Sequence, residues 1–532
     1  MIPARRMPEK GFSLIAGTIF CLVFFQVAQA QLPTATILGV VKDSSGAVIS
    51  GVAVTARNVD TGLARSTVAA ADGSYRLSAL PVGSYELRVE QPGFQTEVQR
   101  GLTLVVGQEA LVNFILQVGQ VQETVSVTAA APLVNTTSGT LGGVVGEKTV
   151  ADLPLNGRNY IDLTLLQPGI TQNKNMSSSQ STVGLWFSSN GAPLRSNNYM
   201  LDGAIIVGLS GTSSATADGN TLGAEGIREY RVLTNGIGAE YGMTMGGQVS
   251  IVSKSGTNNF HGSLFEYLRN SALDARNFFD YKSVASNRRL PAFTRNQFGA
   301  SFGGPIKKDK TFFFGTYEGL RQRLGVTTVD TVIPVSAKVD GGVGGVPQIS
   351  PIIKPLLALY PDPNLPGNRF TFPFTQPVTD DFGQIRVDQT FSSNDMFFAR
   401  YTISNGTETD TAGFPQFVQP RGSRNQYGTL SENHIFSPTL LNTARVSYSR
   451  TANSLISPSP FVGPQYSFVA GLGMGPISIS GITGLGPNGT SRSVQNQNIF
   501  TWSDDVIYTR GSHSVKIGTL INDFITYQSS VV

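Results

Sequence analysis

The chain has 532 residues, one cysteine (Cys21) and a formal net charge of +4. Charged residues make up only 14% of it while glycine occupies 59 positions; soluble domains carry roughly 25% charge. The single cysteine excludes a disulfide scaffold, and the absence of a basic run excludes nucleic acid as a partner. Beyond the first thirty residues no stretch approaches the roughly 18 apolar residues of a helical span, so a membrane role requires strands.

Arg5, Arg6 and Lys10 form a positive start, Phe12 to Val27 an apolar stretch, and Ala28-Gln29-Ala30 a small-residue cleavage pattern. These are the three parts of a secretory signal peptide, so residues 1–30 are expected to be removed after export by the Sec route. The apolar stretch is short for a span, which needs about 20 residues. Bulky Phe20 before Cys21 argues against a lipoprotein site.

Residues 31–118 are expected to form a small β-sandwich, with short apolar runs at Ile37 to Val41, Val52 to Thr55, Ser74 to Leu77, Tyr85 to Val89 and Ala110 to Leu116. Turn signals separate them at Asp43 to Gly46, Asp60 to Gly62, Asp72-Gly73, Pro81 to Gly83 and Pro92 to Phe94. In this order the residues resemble the carboxypeptidase-regulatory-like domain, a transthyretin-like sandwich. His261, His434 and His513 lie far apart and read as strand-end or turn residues, so no metal site, cofactor or peptidase chemistry is expected. No nucleophile elbow, carboxylate pair or P-loop is present, so no catalytic residue is assigned and the chain is not read as an enzyme.

Residues 119–137 read as a linker. Within it Glu123-Thr124-Val125-Ser126-Val127-Thr128-Ala129 alternates as an extended segment able to pair edge-on with a partner strand, or as a last strand of the sandwich. The heptamer resembles the TonB box, and the resemblance implies a TonB-type energising protein of the inner membrane as partner.

Residues 138–255 resemble a plug domain, from Asp152-Leu153-Pro154-Leu155-Asn156-Gly157-Arg158-Asn159-Tyr160 through Tyr199-Met200-Leu201-Asp202-Gly203 and Ile227-Arg228-Glu229-Tyr230 to Gly246-Gly247-Gln248-Val249. Arg158, Asp202, Arg228 and Glu229 are expected to make plug-to-plug or plug-to-wall contacts. They read as structural charges rather than ligand contacts.

From residue 256 the pattern becomes that of an antiparallel transmembrane β-barrel, apolar to the lipid and polar to the lumen. Hairpins are expected at Asn296 to Glu318 turning at Gly303-Gly304-Pro305, at Gln384 to Ile403 turning at Ser392 to Asp395, and at Phe500 to Ile521 turning at Arg510 to His513. In the last, Trp502, Val506 and Tyr508 share a face with Asp504, while Thr501, Ser503, Asp505 and Thr509 share the other with Ile507 interrupting. Long loops are expected at Gly406 to Arg424 and Ser454 to Arg492.

Asn296-Gln297-Phe298-Gly299, Gly303-Gly304-Pro305-Ile306, Asp309 to Phe314 and His513 to Gly518 resemble the Oar-like branch of the TonB-dependent outer-membrane receptors. The expected fold is thus mainly β: a sandwich, an α/β plug and the N-terminal part of a transmembrane barrel. Receptors of this class have barrels of about 22 strands, whereas about ten strands are legible here and Ser529-Ser530-Val531-Val532 lacks a terminal aromatic strand. The chain therefore reads as part of a longer receptor. The resemblance implies active uptake of an extracellular carbohydrate, peptide or metal chelate; a surface adhesin or structural envelope protein is the alternative. Trp186, Tyr427 and Tyr466 are candidates for sugar contact or interfacial anchoring.

Overall fold

A computed structural model describes residues 34–119, 124–128 and 139–531, apart from 154, 174–183, 209–210, 214, 218, 220, 222, 240, 276–291, 344–345, 488, 490–491 and 512. The export signal with Cys21, the ends Glu123 and Ala129 of the box-like heptamer, Pro154 and Ser512 lie outside the described residues.

The sandwich strands are β1 (Ala35–Asp43), β2 (Ala53–Asn58), β3 (Ala64–Val68), β4 (Ser74–Leu80), β5 (Gly83–Glu90), β6 (Thr96–Leu104), β7 (Glu109–Leu111), β8 (Phe114–Leu116) and β9 (Thr124–Thr128). One sheet pairs β4 with β1, to which β7 and β8 both add in parallel; the other has the order β3-β2-β5-β6-β9. Period-two alternation drives this assembly, since β1 and β5 bury every second residue. Ile37, Val54, Leu77, Leu87 and Phe114 meet between the sheets. Two inward tyrosines satisfy their hydroxyls on backbone carbonyls, Tyr85 on Pro81 and Tyr75 on Val112, each at 2.8 Å. At the first turn the Asp43 carboxylate accepts from the Ser45 and Ala47 amides, and Gly46 takes φ +89°.

The plug follows, with β10 (Leu141–Gly146), helix α1 (Glu147–Asp152), two tight helical turns (Asn156–Arg158 and Tyr160–Leu166), β11 (Ile170–Gln172), β12 (Phe187–Ser189), β13 (Asn198–Leu201), β14 (Ala204–Ile205), β15 (Ile227–Asn235) and β16 (Gln248–Ser253). Its mixed sheet runs β10-β15-β16-β13-β14, with β13 parallel to β16. Tyr160, Tyr199, Tyr230, Val232 and Ile251 are buried in its core.

The barrel strands are β17 (His261–Asn270), β18 (Phe293–Lys307), β19 (Thr311–Thr331), β20 (Arg369–Thr390), β21 (Asp395–Thr411), β22 (Val418–Ser437) and β23 (Leu440–Ile456). A loop hairpin, β24 (Ile477–Ile479) with β25 (Ile482–Leu485), precedes β26 (Arg492–Arg510) and β27 (His513–Val531). The strands other than β24 and β25 pair in chain order as one antiparallel sheet, open among the described residues, with β17 and β27 at its edges.

Exposure along these strands is the inverse of that in a soluble sheet. Leu430, Val446, Trp502 and Ile521, register neighbours across β22, β23, β26 and β27, are all exposed. Their chain neighbours Thr429, Ser431, Arg445, Ser447, Thr501 and Ser503 are buried. An apolar outer face over a polar, filled interior is what lipid outside and a plug inside require.

Two sequence expectations are corrected. Gly303-Gly304-Pro305 is strand, paired with Phe314, Phe313 and Phe312; the chain turns three residues later at Lys308-Asp309-Lys310, where Asp309 takes φ +61°. A bulge between Pro305 and Lys307 accommodates the proline that cannot donate to a ladder. Gly406 to Arg424 is mostly strand as well: β21 and β22 stay paired from Thr411↔Val418 down, leaving a short connection at 412–417. The sheet extends past the bilayer there, so the polar composition marks height rather than a loop.

The tightest turns, at 308–310, 391–394 and 438–439, lie at one end of the sheet, and the longer connections, at 332–368, 412–417 and 457–491, lie at the other. Outer-membrane barrels turn tightly on the periplasmic side, which sets the orientation. At the outer end Val332, Ile333, Leu356, Tyr360, Phe414, Phe417, Met474 and Leu485 form a shared core, so these connections pack together.

Candidate functional site

The site is built where the plug meets the wall. β13 ends at Leu201 and turns through Asp202, which has φ +50° and is 1% exposed. Its carboxylate accepts from the Ser253 amide (2.9 Å) and hydroxyl (2.7 Å), both in β16, and from Arg400 Nε on β21 at 2.6 Å. Arg386 on β20 stands 3.5 Å away and donates to Ser253 Oγ at 2.8 Å. Burial pushes the Asp202 carboxyl up, but Arg400, Arg386 and the Ser253 donors outweigh burial and hold it below the usual carboxylate range. Arg400 also donates to Thr402 and Thr429, so its guanidinium is locked on the wall.

Arg158 makes a second wall contact. Its guanidinium pairs with Glu225 at 2.7 Å, donates to the Tyr267 hydroxyl at 3.2 Å and lies 4.1 Å over the Phe265 ring. Further plug-to-wall bonds run from Thr216 Oγ1 to Asp380, from Gln384 to the Gly226 carbonyl, from Ser449 to the Ile205 carbonyl and from Gln497 to the Val207 carbonyl. The contacts are numerous and mostly polar, a surface that can slide or part without stripping an apolar core.

Arg228 and Glu229 face neither the plug interior nor the wall. They point at the sandwich, which sits against the short-turn mouth of the sheet. Glu229 accepts the Val106 amide, and Arg228 stands 3.9 Å from Asp60. Beside them Arg231 donates to the Gly107 carbonyl at 2.5 Å, a contact that charge patterning alone did not single out. Burial pushes the Glu229 carboxyl up to about 7, with Glu147 adding to the rise and the Val106 amide and Arg228 opposing it. The seam also holds two apolar clusters, Val82-Val106-Val252 and Ala79-Leu441-Ile507. Two residues break the polar inward face of β26: Ile499, which packs on Met200 and Ile205 of the plug, and Ile507, which meets the sandwich.

The described part of the box-like heptamer, Thr124–Thr128, is a strand. It pairs in parallel with β6 from Thr96↔Thr124 to Arg100↔Thr128 and forms the outer edge of the five-stranded sheet.

The aromatic residues considered for sugar contact are occupied elsewhere. Trp186 is 1% exposed inside the plug, with Arg195 over its ring, and Tyr427 lies within β22 and packs into the plug core. Tyr466 packs on Phe461 in the outer cluster. Asp395, Glu432 and His434 bring ligand atoms within 4.8 Å of one another at a periplasmic turn. There Asp395 already binds His434 and Ser392, so the group ties the turn together.

A polar-lined sheet with an apolar outer belt, filled by a separate mixed α/β unit, defines an outer-membrane barrel protein. The family model for the outer membrane beta barrel domain matches residues 252–530, and the chain belongs to that family. The model for the carboxypeptidase regulatory-like domain matches residues 36–117. Among curated proteins the chain is similar to the TonB-dependent transporter Oar of Myxococcus xanthus, with 30% identity over 324 residues. That match covers 59% of this chain and 29% of the relative, so the chain spans less than a third of that protein. Among solved structures it is similar to the outer membrane transporter YddB from Escherichia coli, with 13% identity, a TM-score of 0.47, and 70% of this chain and 47% of that one covered. The siderophore receptor PirA from Acinetobacter baumannii gives 14% identity, a TM-score of 0.41, and coverage of 71% and 47%. The protein resides in the outer membrane.

Proposed function

We propose that this chain is the N-terminal part of a receptor that takes up an extracellular ligand actively, driven by a TonB-type energising protein of the inner membrane. The observation that carries the reading is a separate plug held inside the wall by polar bonds around Asp202 and Arg400, preceded in sequence by a strand at a sheet edge. Ligand binds from the outer end, and the partner engages the segment Glu123 to Ala129. Force on that segment reaches β10, the edge strand of the plug sheet, of whose residues only Val145 is buried. Within the plug, a weakly buried edge strand is the element a pull removes first. The ligand class is a carbohydrate, a peptide or a metal chelate, and no covalent chemistry is required.

The test deletes Thr124–Thr128 from the full receptor in cells and follows labelled oligosaccharides, peptides and ferric chelates. The reading expects energised accumulation of at least one probe that the deletion abolishes while surface binding stays. Accumulation that survives the deletion contradicts it. If removing residues 33–118 abolishes adhesion and neither change alters transport, the chain is an adhesin instead.

A further inference from the structure

The sandwich does more than precede the plug: it covers the plug from below. Three sets of contacts hold it across the periplasmic mouth. To the plug run the Glu229–Val106 bond, the Arg231–Gly107 bond and the Val82-Val106-Val252 cluster. To the linkage between plug and wall runs the Asn258 amide, which donates to the Asp60 carbonyl at 2.8 Å. To the barrel turns run the Ala79-Leu441-Ile507 cluster and Arg65, whose Nη2 lies 3.8 Å from Met396 Sδ.

This seam is built to part. Its apolar clusters hold three buried residues each, against nineteen in the sandwich core, so far less apolar area resists separation than resists unfolding of the sandwich. It is also incompletely filled. A cavity of about 330 Å³ lies between the sandwich and the barrel turns, lined by Arg65, Ser78, Asn394, Pro438 and Thr509. A second of about 130 Å³ lies where sandwich, plug and wall meet, beside Asn58, Val82, Arg228 and Phe397. The larger one, walled by Arg65, Ser78, Asn394 and Thr509, is roomy and polar enough to admit water, which would compete for the bonds across the seam.

Strand β9 belongs to the same body. Its backbone partner is β6, and its other edge is open among the described residues. A strand added there by β-augmentation becomes the sixth of the sheet and is continuous with the sandwich.

We infer that the sandwich is a displaceable cover on the inner mouth of the barrel and that β9 is its handle. The occupant of the open edge is an extended strand of the energising protein, and the inference rests on the uptake reading above. A pull on that strand is carried through β6 into the sandwich and opens the seam before load reaches the plug. Opening uncovers Val252, Ser253 and Arg228 and clears the exit side of the plug. The cover thereby keeps the inner mouth shut in every receptor that is not engaged.

The experiment places the only cysteine of the full-length receptor at the covered face, as Val252→Cys, with Val106→Cys as the reciprocal reporter on the sandwich. Intact cells are treated with a sulfonated maleimide small enough to enter the periplasm, with and without a protonophore. A photo-reactive residue at position 126 in a parallel strain records contact with the energising protein. Expected is a rise of at least ten-fold in labelling of both reporters in energised cells, lost with the protonophore and lost when Thr124–Thr128 are deleted. Labelling that stays low in energised cells despite the cross-link overturns the cover. So does labelling equally high in all conditions, which means that the seam is open at rest. Absence of the cross-link itself overturns the uptake reading, and the cover with it.

Discussion

Asp202 of the plug and Arg400 of the barrel wall meet at 2.6 Å with both side chains sealed from solvent. The pair is a fully buried ion pair between the two parts, and its stability is conditional. Removing Asp202 leaves Arg400 as an uncompensated buried charge, which costs about 3–5 kcal/mol. Removing Arg400 leaves Asp202 with Arg386 at 3.5 Å and the two Ser253 donors, and costs less. We predict that Asp202→Asn and Arg400→Met each raise the protease sensitivity of the plug in the detergent-solubilised receptor. The double variant regains part of the loss, because neither charge is then stranded. Additive losses in a thermal-unfolding double-mutant cycle would show that the two side chains do not act as a pair.

Glu229 gives the sandwich seam a pH dependence. Its carboxyl titrates near 4.5 when unperturbed and is pushed up to about 7 when buried against Val106. Between those values the docked form holds a proton that the undocked form releases, so docking is strongest below pH 4.5 and weakens as pH rises to 7. At about 1.4 kcal/mol per pH unit the change reaches roughly 3 kcal/mol at most, less where the plug alone keeps Glu229 buried. Hydrogen exchange at the Val106 amide measures it directly. Glu229→Gln is expected to flatten the profile, and an unchanged slope in that variant would assign the pH dependence elsewhere.

Ile507 explains an irregularity in β26. Its neighbours on the inward face are Thr501, Ser503 and Asp505, yet Ile507 is apolar because it packs on Ala79 of the sandwich and Leu441 of the wall. Ile507→Ser is expected to cost about 1–2 kcal/mol of docking. That appears as roughly ten-fold faster exchange at Val106, with barrel unfolding unchanged. Equal destabilisation of the barrel would place Ile507 in the wall's own packing.

Gly39 sets a steric limit on the sandwich. A Cβ there falls 1.7 Å from the Val112 carbonyl oxygen and 2.9 Å from the Tyr75 ring. Backbone cannot yield as a side chain does, so Gly39→Ala is expected to destabilise the sandwich by more than about 3 kcal/mol. Gly46, with open space and φ +89°, should accept Asn at small cost, since Asn tolerates that conformation. Thermal unfolding of the two variants separates the effects.

The apolar alternation of β1, β5 and β26 and the turns at Asp43, Asp72 and Ser392 were legible because each is a local pattern. Strand β3 was not, because its inward residues are Arg65 and Thr67, which give no apolar alternation to read. The extent of β21 and β22 was hidden for the related reason that a paired strand above the membrane has no apolar face to show. Of the four plug charges, composition announced that each needed a partner but not which. Arg158 and Asp202 found the wall, whereas Arg228 and Glu229 found a sandwich that precedes them by more than a hundred residues. Trp186 and Tyr427 read as loop aromatics because nothing local distinguishes a buried plug ring from an exposed one. The heptamer at 123–129 carried both its readings in sequence, strand and partner segment, and as an edge strand β9 is able to serve as both.

Thr124–Thr128 is proposed as the point at which a TonB-type energising protein of the inner membrane engages this protein. The most direct measurement is photo-crosslinking from position 126 of the full-length receptor in cells, followed by mass spectrometry of the adduct. An adduct joining position 126 to an extended segment of that protein is expected. Correctly inserted receptor with no such adduct would contradict it, and β9 would then be only the last strand of the sandwich.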